Sequence, residues 1–360
     1  MLEAKPRSKI TLNSSAPTSF FPKTWQERAG YSVGFKIFVL KRFLYTILLV
    51  FAVISLNFII FMMMPGDPAE RLVNPNMIGK SEIIDTLREQ WGFDQPLHVQ
   101  YGKYIVNMLT GRFGISYRSN KPVFDEIFQR LGNTLILVIP PEIAAVAVGI
   151  TVGALAARKR GKWLDNLSVT TSLTVYALPV FWIAMMLILV FSMNLGWLPS
   201  AHSQPDSWLL YPPTSMFEIV VTKLTYLILP WITLFLISFG AYVLLTRASV
   251  LEAITEDYVV TARAKGLKER TILFKHTLKN ALLPIITEVA ITFGFTLSGA
   301  IITEQVFVYP GLGWWIWDAI DMYNYPVLQA IFFLIGLCVI IANFLADITY
   351  GIIDPRIKYG

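Results

Sequence analysis

The sequence has few charged residues and almost none that bind metals or form disulfides. Only 15% of its 360 residues are Asp, Glu, Lys or Arg, against about 25% in an average soluble domain. A single cysteine, Cys338, excludes an intrachain disulfide and a thiolate metal cluster. The three histidines are far apart in the sequence and form no metal-ligand motif. Apolar residues dominate, at 55% with a mean hydropathy of +0.56, which is typical of a membrane protein.

Six apolar segments are long enough to cross a bilayer. A helix needs roughly 20 apolar residues to span the hydrocarbon layer. The segments are residues 43–64, 131–157, 167–195, 224–246, 281–303 and 327–346. Backbone groups in lipid must be hydrogen-bonded within the segment, and the short alternating strands of a barrel are not evident. We therefore expect an all-α integral membrane protein with six transmembrane helices.

Basic residues predict the orientation of these helices. Lys and Arg are concentrated at 158–162 and within 247–280, whereas the loops 196–223 and 304–326 contain only Lys223. Because basic loops stay on the cytoplasmic side, we expect a multi-pass protein of the cell membrane with both termini in the cytoplasm. The net charge of +6 then reflects anchoring next to membrane lipid, and we expect no nucleic-acid partner.

The spans leave three polar regions. We expect residues 1–35 to be a cytoplasmic tail and residues 36–360 to be the transmembrane domain. Within this domain, residues 65–130 should form a folded element on the outer side, because Pro65-Gly66-Asp67-Pro68 stops the first helix. Ser81 is placed to cap a short helix that runs to Gln90, and residues 99–109 have helical spacing of apolar side chains.

No nucleotide-binding motif is present. Gly79-Lys80-Ser81 ends like a phosphate-binding loop, but Asn74 stands where that motif requires glycine, and no strand pattern precedes it. We therefore expect no cofactor in this chain.

The charged segment, which we define as residues 247–280, lies between the fourth and fifth spans. Its pattern predicts a helix over 252–265 capped by Thr255, a stop at Gly266 and a second helix over 268–280, with Pro284 one turn into the next span. Two short helices around a glycine would make a compact knob beneath the membrane. The alternative is an ordinary interfacial loop.

Polar residues inside the spans are candidates for the translocation path or for helix packing. Intramembrane carboxylates usually face a cavity or the bundle interior. Glu142, beside a proline pair, and Glu288 are the candidates for path lining, with a packing contact as the alternative. Asn57 and Asn343 are expected to form interhelical hydrogen bonds. Asp347, near the inner boundary, is expected to cap a helix or to pair with a base.

Residues 256–284, EDYVVTARAKGLKERTILFKHTLKNALLP, resemble the coupling loop of dipeptide and oligopeptide permeases of binding-protein-dependent ABC importers, first-subunit type. Further stretches of this family occur in the same order from about residue 36 to the end of the chain. They are MPGDPA at 64–69, PVFW at 179–182, LGWLP at 195–199, YPGLG at 309–313, YPV at 325–327 and DPR at 354–356.

The resemblance implies the permease fold of a type I ABC importer. It also implies four partners besides lipid: a homologous second permease, two cytoplasmic ATPase subunits that bind ATP and Mg, and an extracytoplasmic substrate-binding protein. The chain itself would be a transport subunit and no enzyme. Peptides are the implied cargo, with oligosaccharides or nickel chelates, which some related systems carry, as alternatives. Two departures from the family bear on the cargo: the tail of residues 1–35, which such subunits usually lack, and the loop 200–218, which is longer than usual.

The resemblance also assigns ATPase-coupling residues. Gly266 would be the tight turn that enters a groove of the ATPase, and Val260, Ala262 and Leu267 its apolar contacts. The full set is Asp257, Tyr258, Val260, Ala262, Gly266, Leu267, His276, Asn280 and Pro284. Two other function classes stay open on the residues alone: an ion-driven secondary transporter that uses Glu142 and Glu288, and a membrane-embedded enzyme.

Overall fold

The computed structural model describes residues 25–63, 66–73 and 80–353, and this part of the chain is helical without a β-strand. The expected all-α fold class is confirmed. The helices are α1 (Trp25–Met63), α2 (Lys80–Trp91), α3 (Leu97–Leu109), α4 (Val123–Arg158), α5 (Trp163–Ala177), α6 (Val180–Leu187), α7 (Met216–Ala253), α8 (Asp257–Ala264), α9 (Glu269–Thr271), α10 (Leu278–Gly299), α11 (Ile301–Val306), α12 (Leu312–Asp321) and α13 (Tyr325–Ile353). Two π-helical turns, Ile188–Asn194 and Ile272–Thr277, follow α6 and α9.

Four helices are long and apolar enough to cross a membrane by themselves. They cover Lys36–Met63, Val123–Arg158, Met216–Ala253 and Tyr325–Thr349. The expected span over 281–303 corresponds to α10 and stays a prediction. At the other end of the chain, α1 begins inside the region expected to be a polar tail, while residues 1–24 lie outside the described residues.

The predicted continuous helix over 167–195 is wrong, because this span is broken. Its two halves, Trp163–Ala177 and Val180–Asn194, meet at an angle of 101°. Leu178 is extended at ψ 138°, as expected for a residue whose helical conformation would clash with the ring of the following Pro179. Together the halves are long enough to count as a fifth span.

Glycines bring α7 close to its neighbours. A Cβ at Gly149 of α4 would lie 2.6 Å from Cβ of Tyr242, and one at Gly153 would lie 2.6 Å from the Val243 carbonyl oxygen. On the opposite side, a Cβ at Gly240 of α7 would lie 2.8 Å from the Ser172 carbonyl oxygen of α5. Small residues of this kind allow helix backbones to approach closely in membranes. Helix α7 therefore packs tightly against both α4 and α5.

Polar contacts join α1 to α13. The Asn57 amide donates to the Gln329 carbonyl oxygen at 2.9 Å in a buried position, which confirms the expected interhelical bond. Nearer the start of α1, Arg42 pairs with Asp347 at 2.9 Å, so the expected pairing of this carboxylate with a base is also confirmed. Asn343 is exposed, and its interhelical bond stays a prediction.

The 65–130 element is folded onto the end of α1. Arg71 is buried and donates to the carbonyl oxygens of Phe61 and Gly66, the latter at 3.0 Å, so it satisfies backbone groups that the end of α1 leaves open. Helix α3 confirms the helix expected over 99–109. The predicted cap at Ser81 is wrong, because α2 already begins at Lys80 and includes this serine. The element shares one apolar core with α1, α12 and α13: Ile54, Phe58, Trp91, Tyr104, Met108, Trp315 and Ile331 are among its buried members.

Candidate functional site

The charged segment starts in the last turns of α7 and continues with a short, separate helix. Helix α7 ends at Ala253, and α8 begins at Asp257 after Glu256 in an extended conformation. The predicted single helix from residue 252 with a cap at Thr255 is therefore wrong. Thr255 lies in the link, where its hydroxyl donates to the Glu252 carbonyl oxygen at 2.7 Å.

Gly266 ends α8 in the conformation that the sequence predicted. Its φ of +72° lies in the left-handed region, where glycine has no Cβ to clash with the backbone. Its N–H donates to the Arg263 carbonyl oxygen at 2.9 Å, and the Leu267 N–H reaches back to Ala262. A Cβ at Gly266 would meet nothing within 4 Å. The turn therefore faces open space in this chain.

The second predicted helix does not stop at residue 280. Helix α9, the π-helical turn Ile272–Thr277 and α10 follow one another directly, with helical backbone angles at both junctions. Asn280 and Pro284 consequently lie within α10, and both are exposed. The charged segment is thus connected to α10 without a flexible link.

A small apolar cluster holds α8 against this helical run. Val259 and Ala262 of α8 are buried with Ile272 of the π-helical turn, and Ile254 and Tyr258 pack around them. Ala262 is 6% exposed, so its side chain packs between α8 and the π-helical turn. The burial of Ala262 leaves its exposed apolar neighbours as candidates for the predicted partner contact.

Those neighbours are Val260 and Leu267, which are 58% and 39% exposed on the two sides of the Gly266 turn. Asp257 is exposed in the first turn of α8, where a carboxylate is favourable to the helix dipole. His276 is half-buried in the π-helical turn. Of the predicted coupling residues near Gly266, Asp257, Val260 and Leu267 are exposed, whereas Tyr258 is half-buried and Ala262 is buried.

The base of the charged segment is packed into the helix bundle. A second apolar cluster joins the ends of α4 and α7 to the π-helical turn and the start of α10. Its buried members are Ala154, Ala157, Val250, Ala253, Leu273, Leu278 and Ala281. Close packing of this kind transmits displacement, because interiors have little free volume to absorb it.

The two intramembrane carboxylates lie elsewhere. Glu142 on α4 is 5% exposed and accepts hydrogen bonds from Tyr242 and, at 2.7 Å, from Ser238, both on α7. Glu288 on α10 is half-buried, with the Thr292 hydroxyl 3.4 Å from its Oε1. The contacts of Glu142 favour helix packing, the alternative considered for it. Path lining by either residue stays a prediction.

The sequence gives little sign of a third carboxylate, Glu304, which is fully buried. It accepts hydrogen bonds from the Thr134 hydroxyl at 2.7 Å and from the Trp314 N–H, in the first turn of α12, at 3.0 Å. Thr134 in turn accepts from the Leu312 N–H at 2.9 Å. Burial raises the pKa of Glu304 to about 7, against the lowering effect of these donors.

Glu304 therefore fastens the YPGLG stretch (309–313) to α4. Gly311 fits against it because it has no side chain: a Cβ there would lie 2.3 Å from the Glu304 Oε1. In the sequence, the only sign of this role is that Glu304 lies a few residues before the YPGLG stretch. Within the described ranges no three His, Cys, Asp or Glu residues are grouped to hold a metal ion.

Comparison with known proteins gives consistent matches. Residues 149–359 match the sequence model of the protein family called binding-protein-dependent transport system inner membrane component. Residues 35–138 match the family model for the N-terminal part of such membrane components. The chain is 40% identical over 322 residues to the glutathione transport system permease protein GsiC of Escherichia coli strain K12, covering 89% of this chain and 99% of that protein. For the protein of the same name from Salmonella typhimurium strain LT2 the identity is 39%, with the same coverage.

Among solved structures, an inward-facing conformation of the MetNI methionine ABC transporter is similar to this chain. The TM-score is 0.49 and the sequence identity 16%, covering 63% of this chain and 96% of that one.

Proposed function

Because this chain belongs to the family of inner membrane components of binding-protein-dependent transport systems, and is thus a permease subunit of an ABC importer, we propose that it forms a path for di- and oligopeptides together with a second, related permease. The observation that carries the proposal is the exposed turn at Gly266, flanked by Val260 and Leu267 and rigidly attached to the bundle behind it.

The proposed mechanism is alternating access driven by two ATPase subunits in the cytoplasm. Each ATPase receives one such turn, from this chain or from the second permease, and ATP binding draws the two ATPases together. The displacement passes through the cluster around Ala262 to α10, and through the packed base of the charged segment to α4 and α7. An equilibrium between two states shifts only when a ligand binds them differently, and ATP supplies that difference through the partner subunits.

The orientation follows from the same assignment. With the charged segment in the cytoplasm, both termini lie there too, and the 65–130 element and the YPGLG stretch face an extracytoplasmic substrate-binding protein. ATP and Mg are held by the ATPases, and the chain has no catalytic role of its own.

Peptide cargo is supported by the names of the relatives. The GsiC proteins are named for glutathione, a tripeptide, and cover 89% of this chain at about 40% identity. This supports a peptide-like cargo and does not select among di-, tri- and longer peptides. Oligosaccharides and nickel chelates are the alternative cargoes for the same architecture.

The test is uptake by the complex of both permeases, both ATPases and the binding protein in proteoliposomes. We expect uptake of a labelled peptide to require ATP inside the compartment that holds the ATPases, and to continue when an ionophore collapses the proton gradient. Uptake by the permeases alone, driven by a pH gradient, would instead establish the ion-driven alternative. Calorimetric titration of the binding protein with peptides, glutathione, a nickel chelate and an oligosaccharide identifies the cargo class.

A further inference from the structure

An ion pair between buried Asp165 and partly exposed Arg247 ties the beginning of α5 to the last turns of α7. Asp165 is 2% exposed, and its carboxylate accepts hydrogen bonds from both sides of the Arg247 guanidinium. The Arg247 Nε lies 2.6 Å from Oδ1, and Nη2 lies 3.0 Å from Oδ2. This two-pronged geometry is the strongest form of carboxylate–arginine contact.

The same carboxylate also holds the turn between α4 and α5. The Gly161 N–H donates to Oδ2 of Asp165 at 2.8 Å, and Gly161 has a left-handed φ of +75°. Asp165 therefore fastens three parts of the chain at one point: the turn after α4, the start of α5, and α7 shortly before the charged segment's first helix.

The two halves of the broken span pack against different parts of α7. Helix α6 packs through Ala184 against Leu229 of α7 and Phe307 after α11. Helix α5 meets α7 at the close approach of Ser172 to Gly240 and at the Asp165–Arg247 pair. The 101° bend separates the halves, so α5 can follow a displacement of the Arg247 end of α7 that α6, packed near Leu229, does not share.

We propose that Asp165 is a positioning residue for transport, which makes α5 move with α7 and the charged segment when the ATPases close. This inference rests on the proposed function. An apolar contact can slide, but separating this pair leaves the buried Asp165 carboxylate without its compensating charge, which is unfavourable. The pair therefore keeps α5 attached during the movement, and the bend at Leu178-Pro179 takes up the difference from α6.

The first test is the ratio of substrate taken up to ATP hydrolysed, measured for the complete complex in proteoliposomes. Asp165→Asn and Arg247→Gln should each lower this ratio roughly threefold or more. The double variant should be no worse than either single variant, because both remove one interaction. Asp347→Asn is the matched control: it removes a carboxylate from another interhelical ion pair, Arg42–Asp347, and should leave the ratio unchanged.

A distance measurement separates coupling from simple structural damage. Spin labels replace exposed Leu167 on α5 and exposed Lys275 in the π-helical turn, in a chain whose Cys338 is replaced by Ser. In the otherwise unchanged complex, the distance between the labels should stay the same when ATP is bound. With Asp165→Asn it should change or broaden on ATP binding, in complexes assembled at normal yield.

Three results would overturn the proposal. The first is an unchanged ratio of uptake to ATP hydrolysis in Asp165→Asn. The second is a distance between the spin labels that responds to ATP in the same way with and without that substitution. The third is a loss of activity that is fully explained by a lower yield of assembled complex. If uptake by the unsubstituted complex does not depend on ATP, the proposed function itself fails. This control is measured before the variants, so the two kinds of failure can be told apart.

Discussion

The Tyr242 hydroxyl on α7 donates a hydrogen bond to the Glu142 carboxylate on α4, within a contact that Gly149 makes unusually close. Ser238 donates to the second carboxylate oxygen from the next turn of α7. Glu142 thus has partners for both oxygens inside this chain, although it follows a proline pair in the middle of an apolar helix. A buried carboxylate with two donors is a stabilising link between helices.

We expect Glu142→Gln to preserve assembly and uptake nearly completely. The amide oxygen can still accept from Tyr242, and the Ser238 hydroxyl can rotate to accept from the amide nitrogen. Glu142→Leu should destabilise the complex by about 1–3 kcal/mol, because it removes the acceptor of the buried Tyr242 hydroxyl and of the partly buried Ser238 hydroxyl. Uptake and the yield of detergent-stable complex, measured for both variants, check this. A changed cargo preference in Glu142→Gln would show that Glu142 lines the path.

Gly311→Ala should destabilise the protein by about 1–3 kcal/mol, because the added methyl group overlaps the Glu304 carboxylate and forces the YPGLG stretch to shift. Gly132→Ala is the matched control on α4. A Cβ at Gly132 meets nothing within 4 Å, and alanine favours a helix interior more than glycine. Thermal unfolding of the purified chain in detergent compares the two. Equal unfolding temperatures would show that Gly311 does not need to be small.

Glu304 should make stability depend on pH. Burial raises the pKa of this group from its ordinary value of 4.5 to about 7, so the folded protein binds the proton more tightly than the unfolded chain. Its contribution to the free energy of unfolding is therefore complete below the ordinary pKa and is lost as the pH rises through about 7. Glu304→Gln keeps a neutral acceptor and donor at this position and should flatten that part of the profile. Unfolding temperatures measured across this pH range for both proteins test the assignment, and parallel profiles would refute it.

Local sequence signals predicted the local structures. Apolar length located four helices long enough to cross a membrane, and a glycine after a charged amphipathic stretch located the left-handed turn at residue 266. These signals depend on neighbouring residues only. The break at Leu178-Pro179 was missed because prolines also occur inside α4, α7 and α10, where the helix continues through them.

Tertiary partners could not be predicted in the same way. Asp165 with Arg247, and Glu304 with Thr134, are pairs of residues far apart in the sequence, and nothing near either acid identifies its partner. Ala262 shows the same limitation within one motif. The family pattern places it among the coupling residues, but only the packing of Val259 and Ile272 around it shows that it faces inward.

The most direct test of the account is the coupling of ATP hydrolysis to uptake in Gly266→Trp. A Cβ at this position meets nothing within 4 Å, so we expect harm beyond that of backbone strain to come from contact with a partner. Gly196→Trp is the matched control, since Gly196 has a similar φ of +64° and equally open surroundings in the loop after the first π-helical turn. Gly266→Asn tests the strain alone, because asparagine tolerates the left-handed conformation.

Uptake and ATP hydrolysis would be measured in proteoliposomes, with variant complexes that assemble at equal yield. We predict that Gly266→Trp hydrolyses ATP without uptake of substrate, while Gly266→Asn and Gly196→Trp keep the normal ratio. Normal ATP-driven uptake by a fully assembled Gly266→Trp complex would contradict this coupling role of the Gly266 turn.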